Sequence, residues 1–260
     1  MFVDLEKTMQ WFEDYVRTFE LSVPMIQMKY QHSLDVMHVG MELAEALNGS
    51  PEDQQLGIAA CLLHDTGRFS QYRDFGTYYD GVSVDHGDRG YDVLQKEFTN
   101  TNLADQGARE VILQAVKWHN KKELPSGLPR EALPFCRLVR DADKLDVFKL
   151  VQRRMDEGTV GELLPRHSID APLSPQLLDE VETYWSGSYK NASSLLDFLL
   201  IQLTWTLDIN YAPSLKILED SGVLHRIREV FPKDDARIQR VLDQLFKRME
   251  QHKRAHSNPR

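Results

Sequence analysis

The sequence predicts an all-α fold, and three observations support this prediction. Apolar residues recur at intervals of three and four through much of the chain, which is the period of one face of an α-helix. Ser-Pro pairs stand where they can begin helices. No region shows sustained alternation of apolar and polar residues, and no internal repeat is present. We therefore expect one all-helical domain spanning residues 1–260.

The first two helices are predicted from apolar stripes. The stripe of the first helix consists of Leu5, Met9, Phe12, Val16 and Phe19. That of the second consists of Met25, Met28, His32, Val36, Val39, Leu43 and Leu47. The second helix should end at Asn48-Gly49, where a left-handed cap fits. His32 thus occupies an apolar position.

A third helix begins at Ser50, the N-cap, with Pro51 as its first residue, and runs into His64-Asp65. Residues 66–84 then contain three glycines among five aromatic residues. We interpret this segment as an irregular aromatic loop that could cover a pocket.

Two further histidines belong to the next helices. Asp85 can cap a helix that carries His86, and the following helix places His119 in line with apolar residues at four-residue steps. After the turn-rich residues 124–134, residues 135–155 form a predicted helix that carries Asp143.

The C-terminal part contains one predicted helix that starts at Ser174-Pro175 and another that covers residues 236–249. Residues 195–207 are the most apolar stretch, but polar interruptions leave it short of the roughly 20 apolar residues of a membrane helix. We expect a core or interface helix there and a disordered tail over residues 252–260.

Composition excludes several classes of function. A net charge of −9 opposes non-specific binding to nucleic acid, which depends on basic residues. No signal peptide, transit peptide or membrane span is visible. Cys61 and Cys136 do not have the sequence spacing of a metal-binding or redox-active cysteine pair. They indicate a reducing compartment, so we expect a cytoplasmic protein.

Six ionisable side chains fall on or beside these helices, several of them on apolar faces: His32, His64, Asp65, His86, His119 and Asp143. Burying such groups is costly unless they are paired or bound to a metal ion. Imidazole and carboxylate together suit divalent Fe, Mn, Co, Ni or Zn. One partition gives His32, His64, Asp65 and Asp143 to a first ion. Asp65 then bridges to a second ion held by His86 and His119.

The ordered motifs YQHSLDV, LLHDTGR, VDHGDRG, KWHNKK and RDADKLD resemble the HD-domain superfamily of metal-dependent phosphohydrolases over about residues 25–150. The resemblance implies an all-helical HD core, followed here by a C-terminal helical extension over about residues 151–248. It also implies the shared ligands His32, His64, Asp65 and Asp143. His86 and His119 match the additional pair of the dinuclear branches.

The segment HNKKELPSGLP is similar to the HD-GYP subgroup but departs from its signature. Asn120 stands where that signature has a second histidine, and its Asp-Gly is missing, which argues against cyclic dinucleotide hydrolysis.

Arg68 and Lys144 adjoin ligands and could bind phosphate, with ordinary ion pairs as the alternative. Asp35 and Asp146 lie three residues from ligands and could support them.

These features predict hydrolysis of a phosphoester or phosphoanhydride in a small phosphorylated substrate, with a nucleotide as one candidate. Two metal ions would activate the attacking water, and Asp65, Arg68 and Lys144 are the expected catalytic residues. Two alternatives use the same residues: an HD-type diiron oxygenase that resembles myo-inositol oxygenase, and a non-catalytic metal-binding or ligand-sensing module. Substrate, metal identity and oligomeric state stay open.

Overall fold

A computed structural model describes residues 1–160 and 170–257 of the chain, and its regular structure is helical. Those two ranges contain no β-strand, only an isolated bridge between Val3 and Ala104. The predicted all-α fold is therefore confirmed. The chain divides into two compact units, residues 1–146 and 147–260. A single domain for residues 1–260 stays a prediction.

The first unit contains six complete helices and the beginning of a seventh. They are α1 (Leu5–Val16), α2 (Pro24–Ala46), α3 (Pro51–Leu63), α4 (Thr66–Phe75), α5 (His86–Glu97), α6 (Gln106–Trp118) and α7 (Leu133–Asp156). The predicted caps are present: Asn48 adopts φ 53° after α2. The Ser50 hydroxyl accepts a hydrogen bond from Asp53 N (3.1 Å), and Asp85 accepts one from Asp88 N (2.9 Å).

Helix α3 is the central helix of this unit. Every residue from Leu56 to Leu63 is buried, because the helix is apolar on all sides and packs against α1, α2 and α6. Its C-terminal end therefore lies inside the unit. His64 and Asp65 follow directly, so the packing of α3 carries both side chains into the interior.

Helix α4 corrects the prediction of an irregular loop over residues 66–84. Residues 66–75 are helical, and the helix ends at Gly76, which adopts φ 64°. Phe69 is fully buried, and its ring packs edge to face against that of Phe12 with 6.0 Å between the ring centroids. Tertiary packing therefore stabilises a helix that Gly67 and a weak apolar period disguise in the sequence. The remaining connection to α5 contains one turn of 3₁₀ helix, Asp80–Val82.

In its described residues, the second unit contains the end of α7 and five further helices, in agreement with the predicted C-terminal helices. They are α8 (Pro175–Tyr184), α9 (Leu195–Trp205), α10 (Ala212–Ser221), α11 (Val223–Val230) and α12 (Ala236–Ser257). Most of the apolar helix α9 is buried, as expected for residues 195–207. Within the described residues, no helix has both the length and the apolar character needed to cross a bilayer.

Helix α12 continues through residues 252–257, where the sequence predicts a disordered tail. Two contacts within this unit account for the difference. His252 Nε2 lies 2.8 Å from the carbonyl oxygen of Ile209, and Lys253 forms an ion pair with Glu219. Residues 258–260 of the predicted tail lie outside the described residues.

Candidate metal centre

The structure brings all six predicted ligands together in the first unit. His32 lies in the middle of α2, His64 and Asp65 join α3 to α4, His86 begins α5, His119 follows α6, and Asp143 lies in α7. The four histidines and Asp65 are buried, whereas Asp143 is partly exposed. Six helices, α2 to α7, therefore converge on one cluster that has one partly exposed member.

Asp65 is at the centre of this cluster. Its Oδ2 atom lies 3.6 Å from the Nε2 atoms of both His32 and His64. Its Oδ1 atom lies 3.6 Å from the Nε2 atoms of both His86 and His119. The two carboxylate oxygens thus face two separate pairs of imidazoles.

Asp143 adds a second carboxylate on the His32 side. Its Oδ1 atom lies 3.2 Å from His32 Nε2 and 3.8 Å from His64 Nε2. Ligand atoms of His32, His64 and Asp143 all lie within 4.8 Å of one another, as do those of His64, Asp65 and His119. Both trios have the donor types and spacing that a single metal ion requires.

Backbone carbonyls fix the tautomers of His64 and His119. His64 Nδ1 lies 2.8 Å from Cys61 O, and His119 Nδ1 lies 2.7 Å from Val116 O. A carbonyl oxygen only accepts hydrogen bonds, so each Nδ1 carries the proton. A neutral ring then presents the lone pair of Nε2 to the cluster, which is the form that coordinates a metal ion.

Carboxylates hold the other two histidines. His86 Nδ1 lies 2.6 Å from Asp80 Oδ2, and His32 Nδ1 lies 2.7 Å from Asp146 Oδ2. Such hydrogen bonds from the second nitrogen orient metal-binding histidines. Asp146 therefore occupies the supporting position suggested by its spacing, whereas Asp35 accepts a hydrogen bond from Gln31 at the surface.

Burial and charge set the protonation of the cluster. Burial lowers the pKa of His64 to about 4, and burial together with the positive charge of Arg68 lowers the pKa of His86 to about 3. Both rings are therefore neutral at pH 7. Burial opposes ionisation of Asp65, but the positive charges of Lys29 and Arg68 outweigh it and hold the pKa of that carboxyl well below its usual value.

His32 differs from the other histidines. Burial and Lys29 oppose its protonation, but hydrogen bonds with Asp143 and Asp146 raise its pKa to about 9. In the absence of metal, both ring nitrogens of His32 therefore carry protons at pH 7. A metal ion at Nε2 would replace one of these protons.

Two atomic arrangements test whether a metal ion fits this cluster. His64 Nε2 is buried and has no hydrogen-bond partner among the described residues, which is costly for a polar atom. His86 Nε2 and His119 Nε2 face each other at 3.0 Å, although both rings carry hydrogen bonds at Nδ1. Positively charged ions near these nitrogens would relieve both problems, so the cluster fits divalent metal.

A close approach of α4 and α5 helps to build this geometry. A Cβ atom at Gly67 would lie 2.3 Å from His86 O and 2.5 Å from Gly90 N. Only glycine permits this distance between the two backbones. The glycine that follows the His-Asp pair therefore allows His86 to approach Asp65.

The two cations predicted beside the ligands lie in different surroundings. Arg68 Nη1 donates to Asp80 Oδ1 (2.9 Å), Tyr78 O (2.5 Å) and Gln71 Oε1 (2.9 Å). Arg68 Nε is buried without a hydrogen-bond partner in the described part of the chain, 3.5 Å from Asp65 Oδ1. Lys144 Nζ lies 3.4 Å from Arg140 O.

Sequence reasoning missed two residues that contact the cluster directly. Lys29 Nζ lies 2.7 Å from Asp65 Oδ2, and Asp80 binds both His86 and Arg68. The position of Lys29 one helical turn before His32 was a usable signal. Asp80 gave no signal, because a loop brings it to His86.

Comparison with known proteins finds a family model that part of this chain matches. Residues 30–147 match the family model described as HD domain. These residues contain all six clustered side chains. Comparisons with curated proteins and with solved structures gave no match.

Proposed function

Residues 30–147 form an HD domain, and on this premise we propose that the protein is a metal-dependent phosphohydrolase that cleaves a phosphoester or phosphoanhydride. One observation carries the proposal: each oxygen of Asp65 faces two histidine Nε2 atoms at 3.6 Å. Most HD domains are metal-dependent hydrolases, and this arrangement provides one carboxylate oxygen for each of two ions.

In this proposal two divalent transition-metal ions would be held by the six clustered side chains, and Asp65 would belong to both sets of ligands. His32, His64 and Asp143 would complete the set for one ion, and His86 and His119 the set for the other. The donors suit Fe, Mn, Co, Ni or Zn. When bound, such ions lower the pKa of a coordinated water and polarise phosphate oxygens.

The surrounding residues keep the ligands in the required state. Asp146 and Asp80 accept hydrogen bonds from Nδ1 of His32 and His86, respectively, and so direct the Nε2 atoms inward. Arg68 holds Asp80 through Nη1 and thereby positions His86 indirectly. Arg68 and Lys144 remain our candidates for contact with phosphate, where a cation would stabilise the developing negative charge.

The substrate that we propose is a small phosphorylated molecule, and a nucleotide is one candidate. A cytoplasmic location accords with Cys61 and Cys136, which are both buried and free of disulfide bonds. Oligomeric state has no bearing on this proposal, because all six ligands come from one chain.

The experiment combines metal analysis with an activity assay. Protein purified without chelator is analysed for metal content, and phosphate release from a panel of nucleotides and phosphoesters is measured anaerobically with Mn, Fe, Co and Ni. Two ions per chain and phosphate release would support the proposal. Two iron ions per chain, with substrate-dependent oxygen consumption and no phosphate release, would instead favour a diiron oxygenase. Tight nucleotide binding without turnover would favour a sensing module.

A further inference from the structure

Lys29 is the cation nearest to the central carboxylate of the cluster. Its Nζ lies 2.7 Å from Asp65 Oδ2, the oxygen that also faces His32 and His64. The side chain of Lys29 is 16% exposed, whereas that of Asp65 is 2% exposed. The ammonium group can therefore reach solvent more easily than the groups it neutralises.

The ammonium of Lys29 also has unused hydrogen-bonding capacity. An ammonium group has three donors, and within residues 1–160 and 170–257 the Nζ atom of Lys29 donates a hydrogen bond to Asp65 alone. Arg68, in contrast, has three acceptors at Nη1. The ring of Tyr78, 5.8 Å from Nζ, provides a further weak attraction that keeps the cation near the cluster.

We infer that Lys29 binds a phosphate oxygen of the substrate, after a divalent ion has taken its place at Asp65 Oδ2. This inference rests on the proposed function. An ammonium group and a dication on the same carboxylate oxygen repel each other, so Lys29 must turn away when the ion binds. A phosphate oxygen is then the anionic partner that Lys29 lacks, which makes the accepted substrate an anion rather than a neutral molecule.

Two variants of Lys29 test this inference by binding measurements. In Lys29→Gln, we expect Mn²⁺ to bind the metal-free protein about tenfold more tightly, because the competing charge is gone. Inorganic phosphate should bind the Mn²⁺-loaded variant about tenfold more weakly. Lys29→Arg, which keeps the charge, should bind phosphate within about threefold of the unmodified protein. Isothermal titration calorimetry measures each dissociation constant.

Lys121→Gln is the matched control. Lys121 is 21% exposed and pairs with Asp85 and Asp88 at 2.7 and 2.9 Å, so it resembles Lys29 in exposure and pairing but lies on carboxylates outside the cluster. Its loss should leave both dissociation constants unchanged. Equal effects of Lys29→Gln and Lys121→Gln, or unchanged Mn²⁺ affinity in Lys29→Gln, would overturn the inference.

A second measurement uses the unmodified protein and does not depend on the folding of a variant. Acylation of each lysine by acetic anhydride is followed by mass spectrometry. Lys29 should react faster after Mn²⁺ is added and slower again after inorganic phosphate is added, while Lys121 stays constant. An acylation rate of Lys29 that does not change when Mn²⁺ or phosphate is added would contradict the inference.

The two proposals can fail separately. The protein could bind two ions and release phosphate while its Lys29 variants and acylation rates match those of the control. The proposed function would then stand, and the role of Lys29 would be refuted. A protein that binds Mn²⁺ and phosphate through Lys29, but hydrolyses no phosphoester, retains the role of Lys29 and loses the proposed function.

Discussion

The imidazoles of His86 and His119 meet through their Nε2 atoms at 3.0 Å, while Asp80 and Val116 O hold their Nδ1 atoms. When both rings are neutral, their two Nε2 lone pairs face each other and repel at this distance. A cation shared by the two nitrogens would remove this repulsion, so this pair of rings is suited to hold an ion.

If two ions bind as proposed, His119→Gln should bind one metal ion fewer than the unmodified protein, because one ion would lose one of its three protein ligands. Metal content per chain, measured by mass spectrometry after gel filtration, checks this. His38→Gln is the control, since His38 is exposed and lies on α2 outside the cluster. A His119→Gln protein that still holds two ions would show that His119 is not a ligand.

Asp65→Asn should abolish phosphate release, with a fall in kcat of at least about a thousandfold, because a neutral amide cannot bridge two cations. Circular dichroism and the thermal midpoint establish that the variant is folded. Asp14→Asn is the control, because Asp14 is a surface residue paired with Arg17. Retained turnover in a folded Asp65→Asn protein would remove Asp65 from the mechanism.

Asp80→Asn should weaken binding of one of the two ions by about 10–100-fold, the usual effect of losing a carboxylate that supports a ligating histidine. The reason is that Asp80 accepts from His86 Nδ1 at 2.6 Å and also anchors Arg68. Calorimetric titration with Mn²⁺ resolves the two binding events. Equal weakening of both events would mean that Asp80 acts on the whole cluster rather than through His86.

The sequence was sufficient to select six side chains that the structure brings together, but not to predict the contacts around them. Helix periodicity and the order of the motifs singled out His32 and His64, because both depend on local pattern. The ion pair of Lys29 with Asp65 and the hydrogen bond of Asp80 with His86 join segments that only tertiary packing brings together.

The same reason explains the missed helix α4. Its stability comes from the burial of Phe69 against other elements of the first unit, and its close contact with α5 requires Gly67, which by itself indicates a loop. Local propensity and tertiary packing disagree in this segment, and packing prevails.

Gly67→Ala should lower the free energy of unfolding by about 1–3 kcal/mol, the range for overpacking a close contact. The added Cβ would lie 2.3 Å from His86 O, a backbone atom that cannot rotate away. Urea denaturation measures the effect. Gly127→Ala is the control, because a Cβ there has no neighbour within 4 Å; similar unfolding midpoints for both variants would refute the proposed close packing.

Acidification should already destabilise the metal-free protein at pH values above those at which carboxylates titrate. His64 and His86 have folded pKa values of about 4 and about 3, below the 6.5 or so of an unfolded histidine. The unfolded state therefore binds more protons as the pH falls from 6.5 towards 4, and stability falls with it. The raised pKa of His32 acts in the opposite direction, since its stabilisation is complete below 6.5 and is lost as the pH rises through about 9.

The urea midpoint of chelator-treated protein should consequently be highest near pH 6.5 and decline on both sides. His64→Gln should flatten the acid side, because its amide does not titrate, whereas His38→Gln should leave the profile unchanged. Loading with metal should deepen the acid decline, since protons then compete with the ion for the same Nε2 atoms. A flat midpoint between pH 4 and 6.5 in the metal-free protein would mean that these two imidazoles are not buried in neutral form.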